Sequence, residues 1–236
     1  MNATRQKRFK VIPEMEGAVA RWYARQRGSA SQLEAYRKQA AQLTEGLPPG
    51  ADVLEVAPGP GYLAVEMARL GFHMTGLDIS RSFVEIASRN ARQAAVSVDV
   101  RLGDAASLPF AAESFDLVVC QAAFKNFTQP TSALDEMYRV LRRGGTAVIQ
   151  DLRRDGSDAD IDREVDGMGL SRLSALATRW TLRMLRRRAY TPAQFEHLAA
   201  QSAFPTCDIQ VQGIGMEIRL PKTSRSPDLA DQGAEQ

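Results

Sequence analysis

The chain has 236 residues, 44% hydrophobic and 25% charged, with a net charge of +2 from 30 basic and 28 acidic side chains. That is a globular composition, long enough to bury about 70% of its extended surface, so it needs neither a disulfide framework nor a structural metal to fold. Near-balanced charge argues against a dedicated nucleic-acid binder, and no apolar run reaches the ~18 residues of a membrane span. The polar, basic start has no apolar stretch of the signal-peptide kind. Two cysteines, Cys120 and Cys207, and two histidines, His73 and His197, make no metal-ligand pattern. A soluble, cytoplasmic chain without a metal is expected.

Residues 1–12 read as a flexible basic arm and 13–46 as a helical cap. In the cap, Ala18, Trp22 and Arg25 share one helix face. Leu33, Tyr36, Ala40 and Leu43 share another, and residues 28–31 separate the two helices. Strands and helices then alternate. Strands are expected at 52–57, 72–77, 96–102, 114–120 and 146–151, and helices at 62–70, 80–94 and 130–141, with Ser80 as an N-cap. Repeated β-α-β units of this length imply parallel strands and a doubly wound α/β sheet. Residues 152–190 read as a helical insertion. Seven acids lie from Asp151 to Asp166, and five arginines without an acid lie from Arg179 to Arg188, so the insertion has two oppositely charged halves. Thr191 and Pro192 open a further helix. Residues 207–213 and 216–220 suggest a hairpin around Gly213-Ile214-Gly215, and a polar tail at 222–236 is expected to be disordered.

The chemical signal is Glu55-Val56-Ala57-Pro58-Gly59-Pro60-Gly61, directly after the first strand and before a helix. Glycines there permit a tight turn and close approach of a ligand to backbone amides at the helix start. Asp78 ends the second strand, where a carboxylate can accept two ribose hydroxyls. Taken alone this loop is ambiguous. Gly59-Pro60-Gly61-Tyr62-Leu63-Ala64 also fits the dinucleotide pattern Gly-x-Gly-x-x-Gly/Ala, with Asp78 near the usual ~20-residue distance, so an NAD(P)-dependent oxidoreductase is a competing reading.

Over residues 50–152 the chain resembles class I S-adenosylmethionine (SAM) dependent methyltransferases, in particular the group with quinone-biosynthesis members. The resemblance rests on several motifs in order: residues 53–61, Gly76-Leu77-Asp78-Ile79-Ser80, Gly103-Asp104-Ala105, Leu108-Pro109-Phe110 before Ser114-Phe115-Asp116, and Glu136 through Gly145. It implies a seven-stranded mixed sheet, a SAM-binding domain over 47–221 with a lid at 152–190, and S-adenosylhomocysteine (SAH) as product. It also implies roles. Glu55, with Ala57, Gly59, Pro60 and Gly61, would hold the methionine end. Asp78 would take the ribose, Ile79 would pack on the adenine, and Ser80 beside them also belongs to the cofactor-binding set. Asp104 and Ala105 would read the adenine edge, and Gln121, Ala122 and Phe124 would lie below the reacting methyl. The family usually has Gly where Ala57 stands, and a methyl there is expected to be tolerated with the backbone at negative φ.

Methyl transfer asks little of side-chain chemistry, because the sulfonium is already activated. Direct in-line displacement needs positioning and, for a protonated acceptor of high pKa, a base. Tyr23, Lys125 and Asn126 are the candidate catalytic residues. The Asn/Asp-Pro-Pro-aromatic motif of nucleic-acid and protein amine methyltransferases is absent after 121. A small, apolar or aromatic acceptor is therefore expected. A non-catalytic SAM-binding regulator is the second competing reading. In the lid, Leu170, Leu173, Leu176, Trp180 and Met184 have helical spacing. A packed lid with a solvated basic face is the favoured expectation over membrane-surface contact through Arg179 to Arg188. The oligomeric state is not legible.

Overall fold

A computed structural model describes residues 14–223. Seven strands form one sheet in the order β3-β2-β1-β4-β5-β7-β6. Strands β1 (Asp52–Val56), β2 (His73–Asp78), β3 (Val98–Leu102), β4 (Phe115–Gln121) and β5 (Leu141–Leu152) are parallel. β7 (Gly215–Pro221) runs antiparallel to both β5 and β6 (Asp208–Gln212). Helices α3 (Tyr62–Arg69), α4 (Arg81–Gln93) and α5 (Pro130–Val140) supply the crossovers that parallel pairing requires. The doubly wound expectation holds.

The central strands alternate their apolar side chains between two cores. Leu54, Val56, Val118, Cys120, Ala147 and Ile149 pack with α5 and α8 (Pro192–Ala200) on one face. Val53, Leu117, Val119 and Val148 pack with α3 and α2 (Ala30–Leu43) on the other. Burial on both faces explains why β1 and β4 read as continuous apolar runs. The strand order reverses between the parallel neighbours β1 and β4, since β1 is followed by β2 on one side and β4 lies on the other. A crevice beyond their carboxyl ends is the consequence.

Several local details are added or corrected by the fold. In α1 (Gly17–Arg27) the buried face is Ala20 and Ala24, while Trp22 is 55% exposed, so the face of Ala18, Trp22 and Arg25 looks outward. Small residues let α1 sit close on α4, which a bulky Trp would prevent. β5 begins at Leu141 rather than Thr146, because Leu141 pairs with Phe115 ahead of an irregularity that includes Gly144 at φ +82°. Lys222 does not start a free tail: it is buried, and its Nζ donates to the Leu141 carbonyl at 2.7 Å. The basic arm and the remaining tail residues from 224 onward lie outside the described residues.

The insertion is two antiparallel helices, α6 (Asp158–Gly167) and α7 (Arg172–Arg186). Its acidic and basic runs face each other. Arg179 meets Asp162 at 3.1 Å and Asp166 at 2.5 Å, Arg183 meets Asp158 at 3.3 Å and Asp162 at 3.0 Å, and Arg186 meets Asp158 at 2.7 Å. Three of the five arginines expected on a solvated face are thus turned toward α6. The apolar stripe points outward instead, with Leu173 82%, Leu176 65% and Trp180 66% exposed. Among the described residues, no helix is long and apolar enough to cross a membrane.

Candidate active site

A cavity of about 440 Å³ opens beyond the carboxyl ends of β1, β2 and β4. It has the size of a small-molecule site. The β1 end contributes Glu55. This side chain is 2% exposed, and its Oε2 has no hydrogen-bond partner. Burial pushes its carboxyl up to about 8, opposed by the Ala64 amide and reinforced by the charge of Asp78. A buried carboxylate with one oxygen unpartnered costs free energy unless a cation arrives. At the β2 end, Asp78 accepts from the Ser80 amide at 2.9 Å and the Gly59 amide at 3.0 Å. Burial raises its carboxyl to about 6, partly offset by those amides.

Between these strands runs the loop 57–61. Ala57 adopts φ +58°, not the negative φ expected. Its amide donates to the Leu77 carbonyl at 2.8 Å, and this bond ties the turn to β2. An L-residue in that region costs about 1–2 kcal/mol, so the loop stores strain beside the cavity. Gly59 lines the cavity with open space where a Cβ would stand. Gly61 does not line it. A Cβ there would lie 2.7 Å from the Ala87 Cβ, so this glycine serves the packing of α3 on α4.

The N-terminal cap is pinned at the Asp78 end. Glu16 accepts from the Arg81 and Ser82 amides at 2.9 and 3.0 Å, capping α4 from outside, and the Ser80 hydroxyl donates to the Met15 carbonyl at 2.8 Å. Tyr23 lines the cavity, and so do two residues the sequence reading missed, Arg27 and Tyr36. The Arg27 guanidinium lies 5.9 Å from the Tyr23 ring centre and 5.8 Å from that of Tyr36, with its Nε buried and without a hydrogen-bond partner. The i,i+4 spacing of Tyr23 and Arg27 on one helix was the available signal.

Of the other sequence candidates, Pro60, Ile79, Ser80, Asp104, Ala105, Gln121, Ala122 and Asn126 also line the cavity. Asp104 caps its own turn as well, accepting from the Ala106 amide at 2.9 Å. Two candidates are elsewhere. Phe124 is 1% exposed and packs on Phe127, Tyr190 and Phe195 in the core. Lys125 is buried, its Nζ 2.8 Å from Asp151 Oδ1 and also donating to the Ala122 carbonyl. The 3-10 turn Phe124–Asn126 directs both inward and leaves Asn126 and Phe127 facing the cavity. Lys125 therefore braces the β4 loop against β5 and offers nothing to an acceptor. From α7 and the turn after it, Thr181, Leu185 and Arg188 close the remaining wall. Among the described residues, no group of three metal-ligating side chains is placed to hold an ion.

The cavity thus offers a carboxylate that lacks a cation, a guanidinium, a strand-end carboxylate for a diol, and apolar walls. An amino acid joined to a nucleoside carries those complementary groups.

Residues 54–149 match the family model described as a methyltransferase domain. A demethylmenaquinone methyltransferase from Renibacterium salmoninarum is 36% identical over 104 residues, covering 44% of this chain and 42% of that protein. A ubiquinone biosynthesis O-methyltransferase from Xanthomonas campestris is 35% identical over 109 residues, covering 45% of each. The match thus spans less than half the length of these curated relatives. A putative SAM-dependent methyltransferase from Methanococcus maripaludis superposes with a TM-score of 0.68 at 18% identity, covering 93% of this chain and 99% of that one. The plantazolicin methyltransferase BpumL, solved with SAH, superposes at 0.64 with 15% identity, covering 87% of this chain and 89% of that one. The fold is that of class I SAM-dependent methyltransferases.

Proposed function

We propose that this chain transfers a methyl group from SAM to a small, apolar or aromatic acceptor held beneath the α6–α7 lid. The observation that carries this reading is Glu55 Oε2, buried and unpartnered at the tip of β1. It fits the cofactor ammonium, and Arg27, close by through Tyr36, suits the carboxylate. Asp78 is assigned to the ribose, Ile79 to the adenine face and Asp104 with Ala105 to its edge. When bound, SAM supplies a methyl group already activated by the sulfonium. The chain's contribution is to bind, orient and exclude water.

The acceptor is assigned to the wall of Asn126, Phe127, Thr181 and Leu185. Asn126 and Tyr23, which both line the cavity, are assigned to orient an acceptor atom. A nicotinamide reading finds no support in the fold, because an antiparallel β7 lies between β5 and β6, where the two-halved dinucleotide-binding sheet continues from its fifth strand to its sixth. One structural neighbour, the [4+2]-cyclase SpnF, superposes at 0.55 with 22% identity, so binding and turnover need separate tests.

Calorimetry of the ligand-free protein is the test of binding. Micromolar SAH affinity with no NAD signal is expected. Methyl transfer from labelled SAM to a panel of phenols, quinols and aliphatic acids then tests turnover. Tight SAH binding with no product across the panel would favour a non-catalytic SAM-binding protein.

A further inference from the structure

Three polar side chains stand in register across three strands on the α2 face of the sheet. Gln121 of β4 pairs with Gln150 of β5, which pairs with Glu217 of β7. Gln39 of α2 inserts between the first two. Gln121 Nε2 donates to Gln39 Oε1 at 2.7 Å, Gln39 Nε2 donates to Gln150 Oε1, and Gln150 Nε2 donates to Glu217 Oε2 at 2.7 Å. The other oxygen of Glu217 accepts from Arg219 Nε at 2.7 Å.

The sense of this relay is fixed from one end. An amide can present either its N–H or its carbonyl, and the two ends are nearly equal in shape, but a carboxylate only accepts. Glu217 therefore obliges Gln150 to donate to it, Gln150 to accept from Gln39, and Gln39 to accept from Gln121. The last amide is left with its carbonyl free. Gln121 lines the cavity, and no protein donor reaches its Oε1 among the described residues. The chain thus spends a half-buried ladder on presenting a carbonyl, rather than an N–H, at the end of β4.

We propose that Glu217 is a positioning residue that acts through Gln150 and Gln39 to hold the Gln121 carbonyl toward the cofactor sulfur, favouring the cationic sulfonium of SAM over the neutral thioether of SAH. This rests on the cofactor reading above. A fixed dipole with its negative end toward a cation stabilises the charged partner and is indifferent to the neutral one. Product therefore leaves a site tuned to the substrate form of the cofactor.

The test is the ratio of SAM to SAH affinity, measured by calorimetry on the full chain. Glu217→Gln removes the acceptor-only end and lets the amides invert, so the ratio should fall by about threefold to tenfold, within the net range of a single hydrogen bond. Glu217→Lys forces the opposite polarity and should lower it further, with SAH affinity held within about twofold in both variants. Adding Gln39→Glu to Glu217→Gln places a new acceptor-only group beside Gln121 and should restore the ratio. Where Glu217 variants do not fold, Gln39→Lys reverses the last step alone. An unchanged ratio in variants that bind SAH normally overturns the relay. A native protein that binds neither SAM nor SAH overturns instead the cofactor reading on which it stands.

Discussion

The half of the cavity built by strand ends and the half walled by the α6–α7 insertion are made by opposite means. Residues at the ends of β1 and β2 are held by apolar strands buried on both faces, and their charged groups are few and uncompensated. Between α6 and α7 the buried apolar cluster is small, made of Ile161, Val165 and Ala175, and the alignment of α6 on α7 is set by a zipper of aspartates and arginines. The first arrangement stores electrostatic demand for a ligand. The second satisfies its charges internally, in pairs exposed enough to be worth little each. A rigid half that wants a partner thus faces a lid that does not depend on one.

The largest effect should come from the rigid half. Asp78→Ala removes a strand-end carboxylate and the acceptor for the Gly59 and Ser80 amides. SAH affinity is expected to drop about a hundredfold, on the scale of a charge-assisted contact plus loop disorder. A drop below threefold by calorimetry would place the ribose elsewhere. Glu55→Gln should also weaken SAH, and it provides the control for pH.

The pH dependence follows from the direction of the shifts. Glu55 and Asp78 both have folded-state values raised above the unfolded ones, to about 8 and about 6. The folded ligand-free protein therefore binds more protons than the unfolded chain in that window, and its stability falls as pH rises from the ordinary carboxylate range toward 8. A ligand ammonium requires ionised Glu55, so at pH 7 SAH binding should release close to one proton. Calorimetry in buffers of different ionisation enthalpy reads this number directly. Proton release that persists in Glu55→Gln would assign it to another group.

Ala57→Gly is next in size. Relief of the left-handed strain, less the extra freedom of glycine in the unfolded chain, predicts a gain of about 0.5–1 kcal/mol in urea unfolding. A loss would mean that the methyl packs favourably. In the lid, Arg183→Ala breaks two contacts with Asp158 and Asp162. Hydrogen exchange should accelerate in 158–186 with little change in global stability. The smallest effect belongs to Trp180→Ser, an exposed position, expected within about 0.5 kcal/mol of native.

The same contrast explains what the sequence makes legible. Glu55, Gly59, Asp78 and Asp104 sit at strand ends, where local pattern alone fixes both the element and the direction of the side chain. Ser80 announces α4 by its cap, and Thr191 announces α8. Arg27 and Tyr36 escaped notice because their place at the cavity depends on how α1 and α2 dock on α3 and α4, a long-range event with no local signature. Phe124 and Lys125 were misplaced for a related reason: one 3-10 turn decides which of four consecutive side chains face the cavity. The sign of φ at Ala57 is set by a hydrogen bond to β2, so no inspection of the loop in isolation gives it.

The position of β7 has a consequence for how the chain is made. The strand latest in sequence among those described is interior to the sheet, flanked by β5 and β6. While the ribosome adds the lid, α8 and β6, at about 5–20 residues per second, the outer side of β5 has no neighbour to complete its ladder. Val148 and Ile149, both fully buried once the sheet is whole, stand on that open edge. Unpaired strand edges invite pairing with other chains. Nascent chains arrested before Met216 should therefore be the aggregation-prone species, and the Lys222 contact with Leu141 is one that such chains cannot make.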